Sequence, residues 1–218
     1  AEEVAHELLG GTSENLAQRN GAIVFEARAG TYNGQVTIQH NSIISDATRN
    51  VTYKAAVGSE HGGLSSAGVR IDANGSSRAI TVHSNFARFE GIVFVGGTTY
   101  SAWLDAPGVV ARNCIAAFIN RGFVAYDGTP THPIVMENCV SRGGTSHSFL
   151  VFSDNAGGPT HARLINCVGE TTTTTDTFRS QVNDGITCEA EYINCLSLGS
   201  HTHQAIRAPI VTGSNNVG

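Results

Sequence analysis

The sequence predicts an all-β solenoid of stacked parallel coils, a β-helix, on three observations. An Asn-Cys dipeptide recurs at Asn113-Cys114, Asn138-Cys139, Asn166-Cys167 and Asn194-Cys195. With Gly91 taken as the equivalent of the cysteines, the steps are 23, 25, 28 and 28 residues, a period that marks a solenoid with insertions of variable length. Between the dipeptides lie short apolar runs, each closed by a turn signal, too short and too β-branched for helix pairs.

The elements follow in order. Val4, Ala5, Leu8 and Leu9 fall on one helical face of Ala1–Leu9, with Glu2, Glu3 and Glu7 elsewhere and Gly10-Gly11 as the stop. Residues 1–11 are therefore expected to form a short helix that caps the open end of the rod, where strand edges and core would otherwise be bare. Strands are expected at Ala22–Ala27, Gln35–Gln39, Asn50–Ala55, Gly68–Asp72 and Ala79–His83. Further runs are Ala102–Leu104, Phe123–Tyr126 and Ser148–Phe152, followed by Asp105-Ala106-Pro107-Gly108, Asp127-Gly128 and Asp154-Asn155. Each coil is thus two or three strands. Residues 22–211 have room for about seven coils, a rod of roughly 34 Å at the interstrand spacing of ~4.8 Å. No composition shift marks a linker, and residues 1–218 read as one domain.

The dipeptide itself has a physical reading. An inward asparagine at a bend bonds its equivalent one coil away, as in amide ladders of stacked β-structure. The cysteine beside it fills a tight interior position. Stacked side chains point in parallel, so the thiols are expected to stay reduced. Five cysteines leave at least one unpaired within the chain in any case.

Composition narrows the function. Hydrophobic residues make up 40% of the 218, enough for a core, whereas charged residues are only 14% against about 25% in ordinary soluble domains. Thirteen basic against eighteen acidic side chains exclude a basic nucleic-acid surface as the leading idea. No run approaches the ~20 apolar residues of a membrane span. A signal peptide is absent from the sequence or already removed.

The segment Ala29-Gly30-Thr31-Tyr32-Asn33-Gly34-Gln35-Val36-Thr37-Ile38 resembles the first-coil signature of right-handed parallel β-helix proteins of the pectate-lyase-like superfamily. Ser45–Val51 followed by Glu60-His61-Gly62-Gly63 resembles a subgroup common in phage and environmental bacterial sequences. The resemblance implies the right-handed parallel β-helix over nearly the whole chain. It also implies a virion component or secreted surface protein, and a further segment beyond the point that Gly213–Asn216 matches. The fold itself hosts lyases, hydrolases, adhesins and structural parts.

Candidate sites are few. Asp105, Asp127, Asp154 and Asp184 precede the repeat asparagines by 8, 11, 12 and 10 residues and could form a carboxylate column for glycoside hydrolysis or for the calcium of a lyase. Each also starts a turn, the more ordinary role of Asp. A lyase base is hard to place, because the single lysine, Lys54, lies far upstream. Tyr100, Trp103 and Tyr126 could stack on sugar rings; packing is the favoured role for Trp103. His201-Thr202-His203 puts two imidazoles on one strand face, but without a carboxylate or zinc-type spacing it reads as surface, as do His61, His132, His147 and His161. Thr171–Thr175 lacks the repetition on successive coils that an ice-binding face needs, and reads as an insertion or a solvated edge. Asn50 and Asn74 match a glycosylation pattern too common to carry weight.

The sequence thus favours a non-enzymatic structural or interaction module, extracellular or in a virion as a tail, fibre or capsid-decorating protein. It needs no cofactor or metal. It associates with itself, a trimer being one expected state, or with other virion proteins; glycan is a further candidate ligand, and nucleic acid and membrane are not. The alternatives are a polysaccharide lyase or glycosidase using the aspartates, and a glycan-binding module without cleavage.

Overall fold

The computed structural model describes residues 14–16, 21–39, 43–117, 120–153, 159–173, 175–182, 188–198, 206–207 and 211–212. These residues wind into a parallel β-helix of about seven three-stranded coils. Three sheets run along the rod. Sheet I has eight strands: Ile23–Ala27, Val51–Ala55, Arg88–Glu90, Val110–Arg112, Ile134–Glu137, Thr160–Ile165, Cys188–Ile193 and Val211–Thr212. Sheet II has seven, from Gly30–Asn33 through Val69–Asp72, Ile92–Val95, Ile115–Ala117, Val140–Gly144 and Val168–Thr171 to Leu196–Leu198. Sheet III has seven, from Val36–Ile38 through Arg78–Val82, Tyr100–Asp105, Arg121–Tyr126, Phe149–Ser153 and Phe178–Val182 to Ile206–Arg207. The expected capping helix at residues 1–11 lies outside the described residues, as do Asp154, Asp184, His201 and His203.

Alternation decides what faces inward. In Tyr100–Asp105, Ala102 and Leu104 join the core while Trp103 joins a separate cluster outside. The core carries an aromatic column. Phe25, Tyr53 and Phe89 stack under sheet I with centroids 5.2 and 5.5 Å apart. Phe94 bridges edge-on from Phe89 to Phe123. Phe123, Phe149 and Phe178 then continue the stack under sheet III at 5.5 and 5.0 Å. Repetition at one coil's spacing turns single ring contacts into a continuous one.

The corner between sheets I and II is where the dipeptide sits. Asn113, Asn138, Asn166 and Asn194 all have φ near +50°, the left-handed conformation that Asn tolerates better than most residues. Two corrections follow. The asparagines are exposed, not inward, because the left-handed turn sends their side chains out while the cysteines point in. And Gly91, at φ +69°, aligns with the asparagines rather than the cysteines; its N–H bonds the carbonyl of Arg112 as that of Asn113 bonds Glu137. The amides form a ladder in water: Asn166 Nδ2 donates to Asn138 Oδ1 at 3.1 Å, and Asn194 Nδ2 to Asn166 Oδ1 at 3.2 Å. Inside, Cys114, Cys139, Cys167 and Cys195 are buried free thiols in successive contact. Burial pushes the thiols of Cys114, Cys139 and Cys167 well above the usual range, so they remain protonated and inert. Cys188, outside the column, is raised to about 11 by burial and donates to the carbonyl of Val151 at 3.3 Å.

A loop from Ala56 to Ala67 straps this corner. His61 Nε2 lies 2.6 Å from the carbonyl oxygen of Asn113, and its Nδ1 accepts the Gly63 N–H at 2.9 Å. Farther along, Arg142 donates to Ser65 Oγ at 3.1 Å. Gly68 lets the loop close, since a Cβ there would meet the His61 backbone at 2.6 Å. The threonine run stacks on the coil before it: the hydroxyls of Thr172, Thr173 and Thr175 bond the carbonyls of Gly144, Thr145 and Ser146.

Among the described residues, the rod interior holds a cavity at the first coil. Phe25, Tyr32, Val36, Tyr53, Ile71 and Phe89 help line an apolar cavity of about 370 Å³. The chain approaches that cavity at Leu16, which is buried against Val51 beside Ile23, Phe25 and Tyr53.

Candidate functional site: the outer face of sheet III

Parallel register assembles this face from residues more than twenty positions apart. Thr81, Trp103, Val124, Leu150 and Arg179 form one row across the strands. Asp105, Tyr126, Phe152 and Gln181 form the next toward the strand ends. Arg78, Tyr100 and Arg121 align at the strand starts. Unlike every other described outer surface, this one carries its own apolar cluster. Trp103, Val124 and Leu150 are buried there beneath half-buried Tyr100, Tyr126 and Phe152.

The rings engage one another and two arginines. Trp103 lies 4.8 Å from Tyr100 and 5.2 Å from Tyr126 by centroid, and Tyr126 stacks on Phe152 at 5.8 Å. The Arg78 guanidinium sits 4.3 Å above the Trp103 ring and 5.5 Å from that of Tyr100. Arg121 lies 5.3 Å from the same tyrosine ring and donates to its hydroxyl at 3.0 Å. Trp103 keeps only 8% of its surface exposed. Tyr100, Trp103 and Tyr126 are thus brought together, but as a packed cluster with the tryptophan face already occupied by a cation.

The opposite edge is acidic. Asp105 Oδ2 is 2.9 Å from His83 Nδ1. Asp127 falls one residue beyond the partner of Asp105, which is Tyr126, so the two aspartates are offset rather than stacked. Asp127 adopts φ +67° and its N–H donates to Thr160 Oγ1 at 3.0 Å. Gly128 follows where a Cβ would meet the His161 carbonyl oxygen at 2.2 Å. This is a tight turn pinned to the sheet I strand. Burial first, and then the negative charge of Asp105, raise the Asp127 carboxyl above the usual carboxylate range. Arg121 Nε on the cationic side and Thr81 Oγ1 in the central row are buried atoms without a hydrogen-bond partner.

The described histidines are dispersed. His61 straps the corner, and His132 packs edge-on to Phe86 at 5.0 Å. His147 is buried with Nδ1 2.8 Å from the Asp176 carbonyl oxygen, and burial lowers its pKa. His161 pairs with Glu189 on sheet I. Among the described residues, no three His, Cys, Asp or Glu side chains gather as metal ligands. Phe152, Val124, Leu150, Arg78 and His83 were not singled out by the sequence, and Arg121 only as one of several arginines near coil edges; strand register was the signal that unites them, and it depends on loop lengths.

Three stacked parallel sheets define the chain as a parallel β-helix protein. Among solved structures it is similar to the pectin methylesterase of Aspergillus niger, in a penultimately deglycosylated form with an N-acetylglucosamine stub (14% identity) and in a deglycosylated form (11%). Both matches cover 98% of this chain and 81% of the other, with a TM-score of 0.50, a likeness of fold alone. No family model matches the chain, and no curated protein does.

Proposed function

We propose that the protein is a non-enzymatic structural and interaction module: a rigid rod that works as one part of a larger assembly, in a phage virion as tail, fibre or decoration, or on a secreted surface. One observation carries the reading. The only apolar cluster on the outer face of a described sheet sets Trp103, Tyr100 and Tyr126, with Arg78 and Arg121 against their rings, over Val124, Leu150 and Phe152, and Trp, Tyr and Arg are the residues enriched in protein-docking hot spots. Its ring faces and guanidiniums are engaged with one another, which leaves little aromatic face for a sugar. We further propose that residues 1–11 form a helix whose Val4, Leu8 and Leu9 close the 370 Å³ cavity at the first coil, since Leu16 brings the chain to its rim. Removing residues 1–11 should then raise binding of a hydrophobic dye and lower Tm.

A second reading has its own support. A carboxyl whose pKa is raised by burial and by a second acidic group nearby is one feature of an acid–base pair, and Asp127 with Asp105 fits it for a glycosidase or lyase. One experiment decides between them. The purified protein is incubated with a panel of neutral and acidic polysaccharides, and chain ends and unsaturated products are measured. The module reading expects no turnover. Turnover that disappears in the Asp105→Asn, Asp127→Asn double variant would overturn it.

A further inference from the structure

We infer that the outer face of sheet III docks a second copy of this chain, the two rods lying side by side and parallel. The inference rests on the module reading and names its partner. A two-fold interface brings one patch against itself, so the patch must be self-complementary. This face is, in one direction only. Along the strands it runs from a cationic edge, Arg78 and Arg121, over the apolar rows of Trp103, Val124, Leu150, Tyr126 and Phe152, to an anionic edge, Asp105 and Asp127. A two-fold axis parallel to the rod and lying in the interface exchanges these edges while keeping coil height. Arg121, on the strand that ends just before Asp127, then faces Asp127 of the other copy, while Asp105 faces Tyr100, with Arg78 one coil away. A two-fold axis across the rod would set arginine against arginine. The charge pattern therefore selects parallel rods.

Other charged groups on the face fit this arrangement. Arg179 ends the central row and lies 3.9 Å from the carboxylate of Asp176. His83 accompanies Asp105 and reinforces the pair when neutral; when protonated it cancels part of the acidic edge. The rise of the Asp127 carboxyl by burial and by Asp105 is the mark of an acid lacking a counter-charge, which a partner arginine would supply.

Size sets the strength. Six residues along a strand at ~3.3 Å and five strands at ~4.8 Å give a footprint on the order of 400 Å² per copy. That is about half the ~800 Å² per partner of a standard interface. The association is therefore concentration-dependent, and dilution dissociates it.

The test is sedimentation equilibrium and native mass spectrometry of the full chain from about 1 to about 200 µM, a range that brackets weak dimers. Emission of Trp103, the one tryptophan, serves as a local reporter. A dimer is expected to appear within the range, with Trp103 emission shifting in step. Arg121→Glu and Asp127→Lys should each weaken it about tenfold or more. Mixing the two variants should restore association to near the wild-type level, because only the mixed dimer pairs opposite charges at both symmetry-related contacts. Circular dichroism and Tm verify folding. Should either charge variant fail to fold, Tyr126→Ser, which removes a ring without reversing a charge, must still weaken the dimer. A monomer throughout the range, a dimer indifferent to these substitutions, or a mixture that does not recover would overturn the inference. A monomer without polysaccharide turnover sinks this docking mode alone; turnover dependent on Asp105 and Asp127 sinks the module reading beneath it.

Discussion

The corner between sheets I and II and the outer face of sheet III are built by the same parallel stacking, yet one repeats and the other does not. At the corner each coil from Asn113 onward places an outward left-handed asparagine and an inward cysteine at the same position. On the face, the corresponding row reads Thr81, Trp103, Val124, Leu150, Arg179. Identical residues at identical positions satisfy one another, as the amides do. Non-identical residues in a row cannot form a ladder, and here they collect rings and opposite charges instead. Repetition in this molecule marks what holds the rod together; its interruption marks where the outer face gains a cluster of its own.

Substitutions can break this contrast. Phe149, fully buried between Phe123 and Phe178 on the inner side of sheet III, should lose about 3–5 kcal/mol as Phe149→Ala in chemical denaturation. Phe152, three residues on and facing out, should lose about 1 kcal/mol or less as Phe152→Ser while weakening self-association. Equal losses would erase the distinction between the two faces. At the corner, Asn166→Ala removes both ladder bonds and forces alanine into a left-handed φ, for about 2–3 kcal/mol. Asn166→Gly keeps the backbone and loses only the ladder, so about 1 kcal/mol should remain. If the two variants lose the same amount, the conformation contributes nothing and the ladder everything.

The smallest effect is the most diagnostic of the face. The Asp127 carboxyl titrates higher in the folded chain than in the unfolded one, so the folded state binds its proton more readily. Stability from this group is then greatest below the unfolded pKa, near 3.8, and falls as pH rises through the raised folded value. Asp127→Asn, which tolerates the left-handed turn, should raise Tm at pH 7 by about 1 °C after solvent screening. The difference should vanish below about pH 3.8. A variant less stable at neutral pH would mean that the carboxylate is compensated within the single chain.

Much of the fold was legible because its signals are local. The strand at Val51–Ala55 was expected as Asn50–Ala55, and Val69–Asp72 as Gly68–Asp72, from apolar alternation bounded by turn residues. The third strand of each coil, such as Ile115–Ala117 or Leu196–Leu198, was less visible because three residues carry almost no period. The Asn-Cys spacing announced the corner but not which member faces inward. That depends on a positive φ, which Gly91 signals only once it is aligned with the asparagines. The face was read in part: Tyr100, Trp103 and Tyr126 were singled out, whereas Arg78, Val124 and Phe152 join them through register alone. A loop one residue longer would have put different side chains there. Of the four aspartates read as a column, Asp105 and Asp127 are offset by one residue, with Asp105 opposite Tyr126, and Asp154 and Asp184 lie outside the described residues.

The asparagine ladder also has a direction. Each amide donates toward the preceding coil, Asn194 to Asn166 and Asn166 to Asn138, so the side-chain dipoles line up head to tail. Each bond polarises the next. The corner thus behaves as a small electret fixed along the rod, with hydrogen-bond donors oriented toward the first coils and acceptors toward the last. Two rods laid parallel hold their electrets in the same sense, and two laid antiparallel hold them opposed. The rod therefore has an electrical polarity as well as a chemical one, and a field strong enough to orient it would sort the two arrangements.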